Sequence, residues 1–288
     1  MRILKMVLIG LAAIFLVSCQ KELSVENRNG LPPPPDPVPD TLGDLLVRQV
    51  TSYNTVDSVV TQYSYDGSKR LIGIAMAGNV GGTIIDQHQT ITRNGSGTIT
   101  QITLLDATAG GGTLVTDVFY DAANNRYSHT IIRLNFNGTV FVDSTVFIYG
   151  ASGNVSAVDD YEQDPASGTF QPFYRNEYVY AGNAVDSAKL FNADPTTGAW
   201  TALSTVVYGY DSKINPLILS NAESILLTQP HLYAINNNNS QESINYQSPS
   251  SGFTMTTTFT YNSKNKPVTS VTTVLPYGAG ATGAYYYQ

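Results

Sequence analysis

Thr61-Gln62-Tyr63-Ser64-Tyr65-Asp66-Gly67-Ser68-Lys69-Arg70-Leu71 is the stretch on which the reading of the fold turns. Tyr63 and Tyr65 stand two residues apart, so on a strand they share one face. Asp66 follows, and its side chain can bond the backbone two residues on and open a turn. A second strand then leaves. The phrase returns as Val118-Phe119-Tyr120-Asp121, Phe147-Ile148-Tyr149-Gly150, Tyr178-Val179-Tyr180-Ala181, Tyr208-Gly209-Tyr210-Asp211 and Phe259-Thr260-Tyr261-Asn262.

The second aromatics, Tyr65, Tyr120, Tyr149, Tyr180, Tyr210 and Tyr261, are separated by 55, 29, 31, 30 and 51 residues. A degenerate copy fills the first wide gap. Thr92-Arg93-Asn94-Gly95-Ser96-Gly97 aligns with Ile148-Tyr149-Gly150-Ala151-Ser152-Gly153 and splits the 55 into 28 and 27. A unit of that length holds two strands and two turns, and a fixed period of this size marks a repeat architecture. A lone hairpin cannot bury its own face, so the units must pair side by side.

Other turns alternate with these. Asp106 to Gly112, Asp164-Pro165-Ala166-Ser167-Gly168 and Asp194-Pro195-Thr196-Thr197-Gly198 punctuate the opposite edge, and Asn94-Gly95 and Asn137-Gly138 read as type I′ hairpin signals. The pattern predicts an all-β, up-and-down antiparallel meander of about 14 strands over residues 41–276. Twist and burial of the aromatic face would curl it into a rolled sheet or half-barrel. In Phe253 to Tyr261 the odd positions hold Phe253, Met255, Phe259 and Tyr261 while 254, 256, 258 and 260 are all Thr. The repeat tyrosines therefore belong to the packed face and form a structural ladder.

The rhythm breaks between Asn215-Pro216 and Gln241. Ser220-Asn221-Ala222-Glu223 has the form of a capping box before Ile225, Leu226 and Leu227, which predicts a short helix near 220–230 ending by Pro230. Leu217, Leu219, Ile225 and Leu226 would then cover the open end of the sheet. Asn236 to Asn239 reads as a polar loop, and residues 277–288 read as a flexible Gly-rich tail.

Only 13% of the 288 residues are charged, and the net charge is −7, which argues against nucleic acid as a partner. A single Cys excludes a disulfide framework. That cysteine, Cys19, ends a basic start and an apolar run from Met6 to Val17 that is short for a membrane span. Leu16-Val17-Ser18-Cys19 looks like a bacterial lipobox. Residues 1–18 then form a signal peptide, Cys19 is the lipidation site that ties the chain to a membrane, and residues 19–40 form a tether stiffened by Pro32-Pro33-Pro34-Pro35-Asp36-Pro37. Lys21-Glu22 resembles the export signal of surface lipoproteins in Gram-negative bacteria, which favours surface over periplasmic display at the outer membrane.

No nucleophile elbow, Walker loop or zincin motif is present. His88, His129 and His231 share no metal-ligand spacing. The densest acidic cluster contains Asp160, Glu162 and Asp164, which alternation places on one face. It is a candidate for calcium or another ligand, or for a hydrolytic carboxylate pair, weighed against a solvated strand end. Phe170 and Trp200 follow equivalent turns and are candidates for stacking on sugar, weighed against covering the end of a core.

The phrases Tyr65-Asp66-Gly67-Ser68-Lys69-Arg70-Leu71 and Tyr210-Asp211-Ser212-Lys213-Ile214-Asn215-Pro216 resemble the YD/RHS repeat family, and the whole chain is similar to bacterial lipoproteins that join a lipobox and a Pro-rich tether to such repeats. The resemblance implies a curled sheet, no catalytic residues in the repeats, and a scaffold or binding role. The expected function is a non-enzymatic envelope lipoprotein that binds a glycan or a partner protein. The alternatives are a carbohydrate-active hydrolase using Asp160, Glu162 and Asp164, and a purely structural envelope protein.

Overall fold

The computed structural model describes residues 45–288, apart from 109–110, 137, 218, 220, 228–235, 249–250 and 277. Cys19, the tether and His231 lie outside the described residues. The strands are β1 (Leu46–Ser52), β2 (Ser58–Tyr65), β3 (Leu71–Val80), β4 (Thr83–Arg93), β5 (Ile99–Asp106), β6 (Thr113–Asp121), β7 (Arg126–Phe136) and β8 (Thr139–Tyr149). They continue as β9 (Val155–Gln163), β10 (Phe170–Ala181), β11 (Ala184–Ala193), β12 (Trp200–Ile214), β13 (Asn236–Asn245), β14 (Phe253–Tyr261), β15 (Pro267–Leu275) and β16 (Ala279–Tyr287). Among the described residues one helix, α1 (Asn221–Leu226), lies between β12 and β13.

Each strand pairs antiparallel with its sequence neighbours, and β16 pairs with β1, so the meander closes into a barrel. The expectation of about 14 strands in a half-barrel is corrected to 16 in a closed ring. Two stretches account for the difference. The supposed Gly-rich tail is the closing strand: a Cβ at Gly283 would lie 2.3 Å from Ser270 Oγ, so this glycine permits close packing between β16 and β15. Asn236 to Asn239, read as a polar loop, starts β13. There the Asn238 amide donates to the Gly209 and Ser240 carbonyls at 3.0 and 3.1 Å.

The Tyr-Asp turns share one construction. Asp66 Oδ1 accepts from the Ser68 and Arg70 N–H groups, Asn94 Oδ1 from Ser96 and Thr98, and Asn262 Oδ1 from Lys264 and Lys266. The left-handed residue comes three positions after the cap at Lys69, Gly97 and Asn265, and four after Asp121 at Asn125. Asn94-Gly95 is therefore not a type I′ pair: Asn94 caps the turn, and Gly97 holds the positive φ of 92°.

A β-bulge sits at every one of these hairpins. Register slips between Ser64 and Tyr65, Thr92 and Arg93, Phe119 and Tyr120, Ile148 and Tyr149, Val179 and Tyr180, and Thr260 and Tyr261. One extra residue on the partner strand turns a residue at that strand's start inward. These residues, Leu71, Ile99, Tyr127, Val155, Val185 and Pro267, each first or second in its strand, are all at most 5% exposed and ring one end of the barrel.

The repeat tyrosine locks this ring. Tyr65 O–H donates to the Leu46 carbonyl at 2.7 Å, Tyr149 to Tyr127 at 2.8 Å, Tyr180 to Val155 at 2.8 Å and Tyr210 to Val185 at 2.8 Å. Tyr287 does the same to Pro267 at 2.7 Å. In the degenerate copy Arg93 takes the tyrosine's place and donates from Nε to the Leu71 carbonyl at 3.2 Å. Tyr261 departs from the rule by bonding Asp211. Tyr180→Ala removes both a packed ring and a clamp and is expected to destabilise the barrel by about 3 kcal/mol. Thr258→Ala, on the exposed face, is expected to stay within about 0.5 kcal/mol. Urea unfolding of the two variants separates a packed tyrosine face from a wet one, because equal small shifts would mean the faces are assigned the wrong way round.

The outside of the barrel carries charge at mid-strand. Arg175 donates to both oxygens of Asp159 at 2.6 Å, and Asp117 bonds Arg133 and Gln101. Glu177 and Lys189 are paired across β10 and β11. Thr254, Thr256, Thr258 and Thr260 are exposed along β14. Arginine or lysine facing lipid at mid-bilayer costs about 2–4 kcal/mol each. Ile148, Val179, Val207, Ile244 and Val271 are exposed as well, so apolar and charged side chains alternate over the barrel.

Candidate functional site at the plugged end

Helix α1 enters the barrel at the Tyr-Asp end. Ile225, Leu226 and Leu227 are buried against Leu71, Ile91, Ile99, Val118, Phe147 and Val155, with Leu217, Leu219 and Ala222 around them. The helix and its covering role were legible in the apolar pattern; Ser220, the proposed cap, lies outside the described residues. Such a short helix has little stability of its own and is held by this packing.

A polar anchor fixes the plug. Arg93, with 6% side-chain exposure, donates from Nη1 to Glu223 Oε1 at 2.7 Å and to the Gly97 carbonyl at 2.7 Å. Tyr127 O–H donates to the same carboxylate oxygen at 3.2 Å and accepts from the Ile99 N–H at 3.1 Å. Burial together with the neighbouring Glu223 charge pushes the Tyr127 phenol up from its ordinary range. Sequence reasoning passed over Arg93, although the alignment had placed it in a tyrosine slot.

Tyr120, like Tyr261, is a repeat tyrosine without the carbonyl clamp. Its hydroxyl bonds Asn125 Oδ1 at 2.6 Å, within its own turn, and no clamp from it reaches Ile99 among the described residues. Its ring is 37% exposed and meets Tyr127 edge-on at 5.2 Å. Asn125, at φ 53°, holds it there. Beside it opens a cavity of about 440 Å³, bounded by the turns around Ser96, Asn125 and Asn154 and by the start of α1. Arg126 lies over the Tyr149 ring at 4.8 Å and forms one wall.

The acidic cluster is divided by the fold. Asp160 and Glu162 project to the inner face, where they meet Asp143, which the sequence reading did not single out: Asp143 is paired with Glu162, and Thr145 Oγ1 donates to Asp160 at 2.7 Å. Asp164 is elsewhere, capping the β9–β10 turn by accepting from the Ala166 and Ser167 N–H groups, which hold its carboxyl below the usual range. Placing Asp160, Glu162 and Asp164 on one face is therefore corrected: the turn removes Asp164. Desolvation, with Glu162 nearby, pushes Asp143 up to about 6, and desolvation does the same to Asp160. A carboxyl raised above its unfolded value favours the fold at low pH, so the contribution of these two is lost as pH rises from about 4 through 6. Among the described residues no group of three His, Cys, Asp or Glu could hold a metal ion.

The remaining candidates are scattered. Phe170 is exposed at the start of β10, and Trp200 lies under the Arg175 guanidinium at 4.8 Å. His88 pairs with Asp86 at 3.0 Å, and His129 stacks on Phe119 at 4.3 Å.

No family model matches the chain, and no curated protein does. Among solved structures, a porin-like protein from Bacteroides uniformis matches 84% of this chain and 96% of its own, at 11% identity and a TM-score of 0.51. A porin-like protein from Bacteroides vulgatus matches 85% and 98%, at 11% identity and a TM-score of 0.50. A DUF3836 family protein from Parabacteroides distasonis covers 32% of the chain at 19% identity, with a TM-score of 0.29 that is too low to carry an argument. The likeness to the two porin-like proteins is one of fold: an all-β antiparallel barrel.

Proposed function

We propose that this chain is a non-enzymatic lipoprotein of the outer membrane, a barrel that stands in water at the end of a lipidated tether, displayed on the surface, and acts as a binding or scaffold module. The observation that carries the reading is the charged, threonine-rich exterior. Arg175–Asp159, Arg133–Asp117 and the Glu177–Lys189 pair sit where a spanning barrel needs an apolar band. Attachment then falls to Cys19, the residue whose lipobox setting suits acylation.

Cys19→Ser separates the two ways such a barrel can meet a membrane. The unlipidated chain is expected to leave the membrane fraction and remain folded in the soluble one. A Cys19→Ser protein that still fractionates wholly with the outer membrane, and resists carbonate extraction, would overturn the reading in favour of a spanning barrel.

A further inference from the structure

The repeat builds the same clamp around most of the barrel end; Tyr261 gives it up for the Asp211 carboxylate, and Tyr120 gives it up beside the cavity. Tyr65, Tyr149, Tyr180, Tyr210 and Tyr287 send their hydroxyls to a neighbouring backbone carbonyl, and Arg93 does so with its guanidinium. Tyr120 has the same place in its hairpin, with the same bulge beside it, yet its hydroxyl is turned to Asn125 and its ring is left open to solvent. The space beside that ring is the 440 Å³ cavity. Its size falls within the roughly 300–1,000 Å³ range of small-molecule sites.

The chemistry of the walls narrows the ligand. Tyr120 and Tyr149 offer aromatic surface. Asn125, Asn154 and Ser96 bring amide and hydroxyl groups, each able both to donate and to accept. Charge is balanced: Glu223 is neutralised by Arg93, and Arg126 lies over the Tyr149 ring and near Asp121, whose carboxyl is held low first by the Asn124 amide, then by the turn N–H groups and last by Arg126. An aromatic wall, mixed donors and acceptors, and no uncompensated charge suit a ring with an apolar C–H face and an uncharged hydroxyl rim.

We propose that this cavity is a saccharide-binding site that takes one or two neutral pyranose units of a glycan, with Tyr120 as the stacking platform. The assignment rests on the binding-module reading and supplies its ligand class. It also gives a reason for the broken clamp: a tyrosine locked to the Ile99 carbonyl would fill the space that the sugar occupies.

The test is calorimetric titration of the full chain in detergent micelles with a panel of neutral trisaccharides (malto-, cello-, xylo-, manno- and N-acetylchito-) and with trigalacturonate as the charged counterpart. Saturable binding of at least one neutral member is expected. Tyr120→Ala should weaken it roughly tenfold or more, and Tyr120→Phe, which keeps the ring, should stay within about threefold. Ser96→Trp, an exposed turn substitution that blocks the mouth without touching the core, should abolish it. The assignment is overturned if no neutral trisaccharide binds, if only trigalacturonate does, or if binding is unmoved by both Tyr120→Ala and Ser96→Trp. Each of these results is read independently of where Cys19→Ser protein fractionates, so the ligand can fail while the anchored barrel stands.

Discussion

Deleting residues 279–288 is expected to abolish cooperative unfolding altogether. This segment is β16, bonded on one side to β15 from Thr269 to Val274 and on the other to β1 from Leu46 to Ser52. Leu45 and Gln288 seal the seam by exchanging two backbone hydrogen bonds, at 3.0 and 2.9 Å. Without the strand, β1 and β15 become bare edges whose N–H and C=O groups lose their partners, a template for pairing with other chains. Tyr287, 3% exposed and clamped to Pro267, goes with it. Circular dichroism should show a broad, non-cooperative melt, and size-exclusion chromatography should show aggregates. A truncated chain that stays monomeric and melts cooperatively would mean that the barrel can stand open as a half-shell.

That expectation also marks where the sequence was legible and where it was not. The Tyr-Asp period exposed the meander, its two kinds of turn and the buried face, because each is set by local chemistry: an Asx cap, a left-handed residue, an alternation of side chains. Closure is a property of the two ends meeting, and nothing within Gly278-Ala279-Gly280 announces a partner more than two hundred residues away. Its glycines imitate a loose tail, although Gly283 is small because Ser270 approaches it. The asparagine run at the start of β13 misleads in the same way, since its amides find their partners only in the paired strands, on the Gly209 and Ser240 carbonyls and the Asp211 carboxylate.

The candidate site was less legible still. The strand-opening residues Leu71, Ile99, Tyr127 and Val155 recur at an interval of 28, a signal as regular as the tyrosines, and they form the ring on which the plug rests. They were overlooked because the bulge that turns them inward breaks simple alternation. Asp164 was misassigned for a related reason: alternation was carried past the end of β9 into a turn, where the carboxylate serves the backbone. Tyr120 looks like its siblings in sequence. Only the hydrogen bond to Asn125, itself dependent on a positive φ, turns it away from the clamp, as the bond to Asp211 does for Tyr261.

Arg93→Met is expected to destabilise the barrel by about 3–5 kcal/mol, the range for removing one partner of a buried ion pair. Arg93 makes three separable contacts: to Glu223, to the Gly97 carbonyl and to the Leu71 carbonyl. The last is the clamp that tyrosine supplies in other repeats. The first is peculiar to this hairpin, since α1 descends beside it and brings a carboxylate with 17% side-chain exposure. Methionine fills much of the volume but leaves Glu223 charged beside Ile91, Ile99 and Leu226, with the Tyr127 hydroxyl as its remaining donor from this cluster. The cost is therefore one of removing the ion-pair partner of a half-buried carboxylate more than of losing packing. If so, Arg93→Met with Glu223→Gln should recover at least about 1 kcal/mol of the loss, a coupling that neighbouring residues show and distant ones do not. Urea unfolding of wild type, both single variants and the double variant closes the cycle. Strict additivity would show that the plug is held by its apolar residues alone and that the Arg93–Glu223 pair is incidental to it.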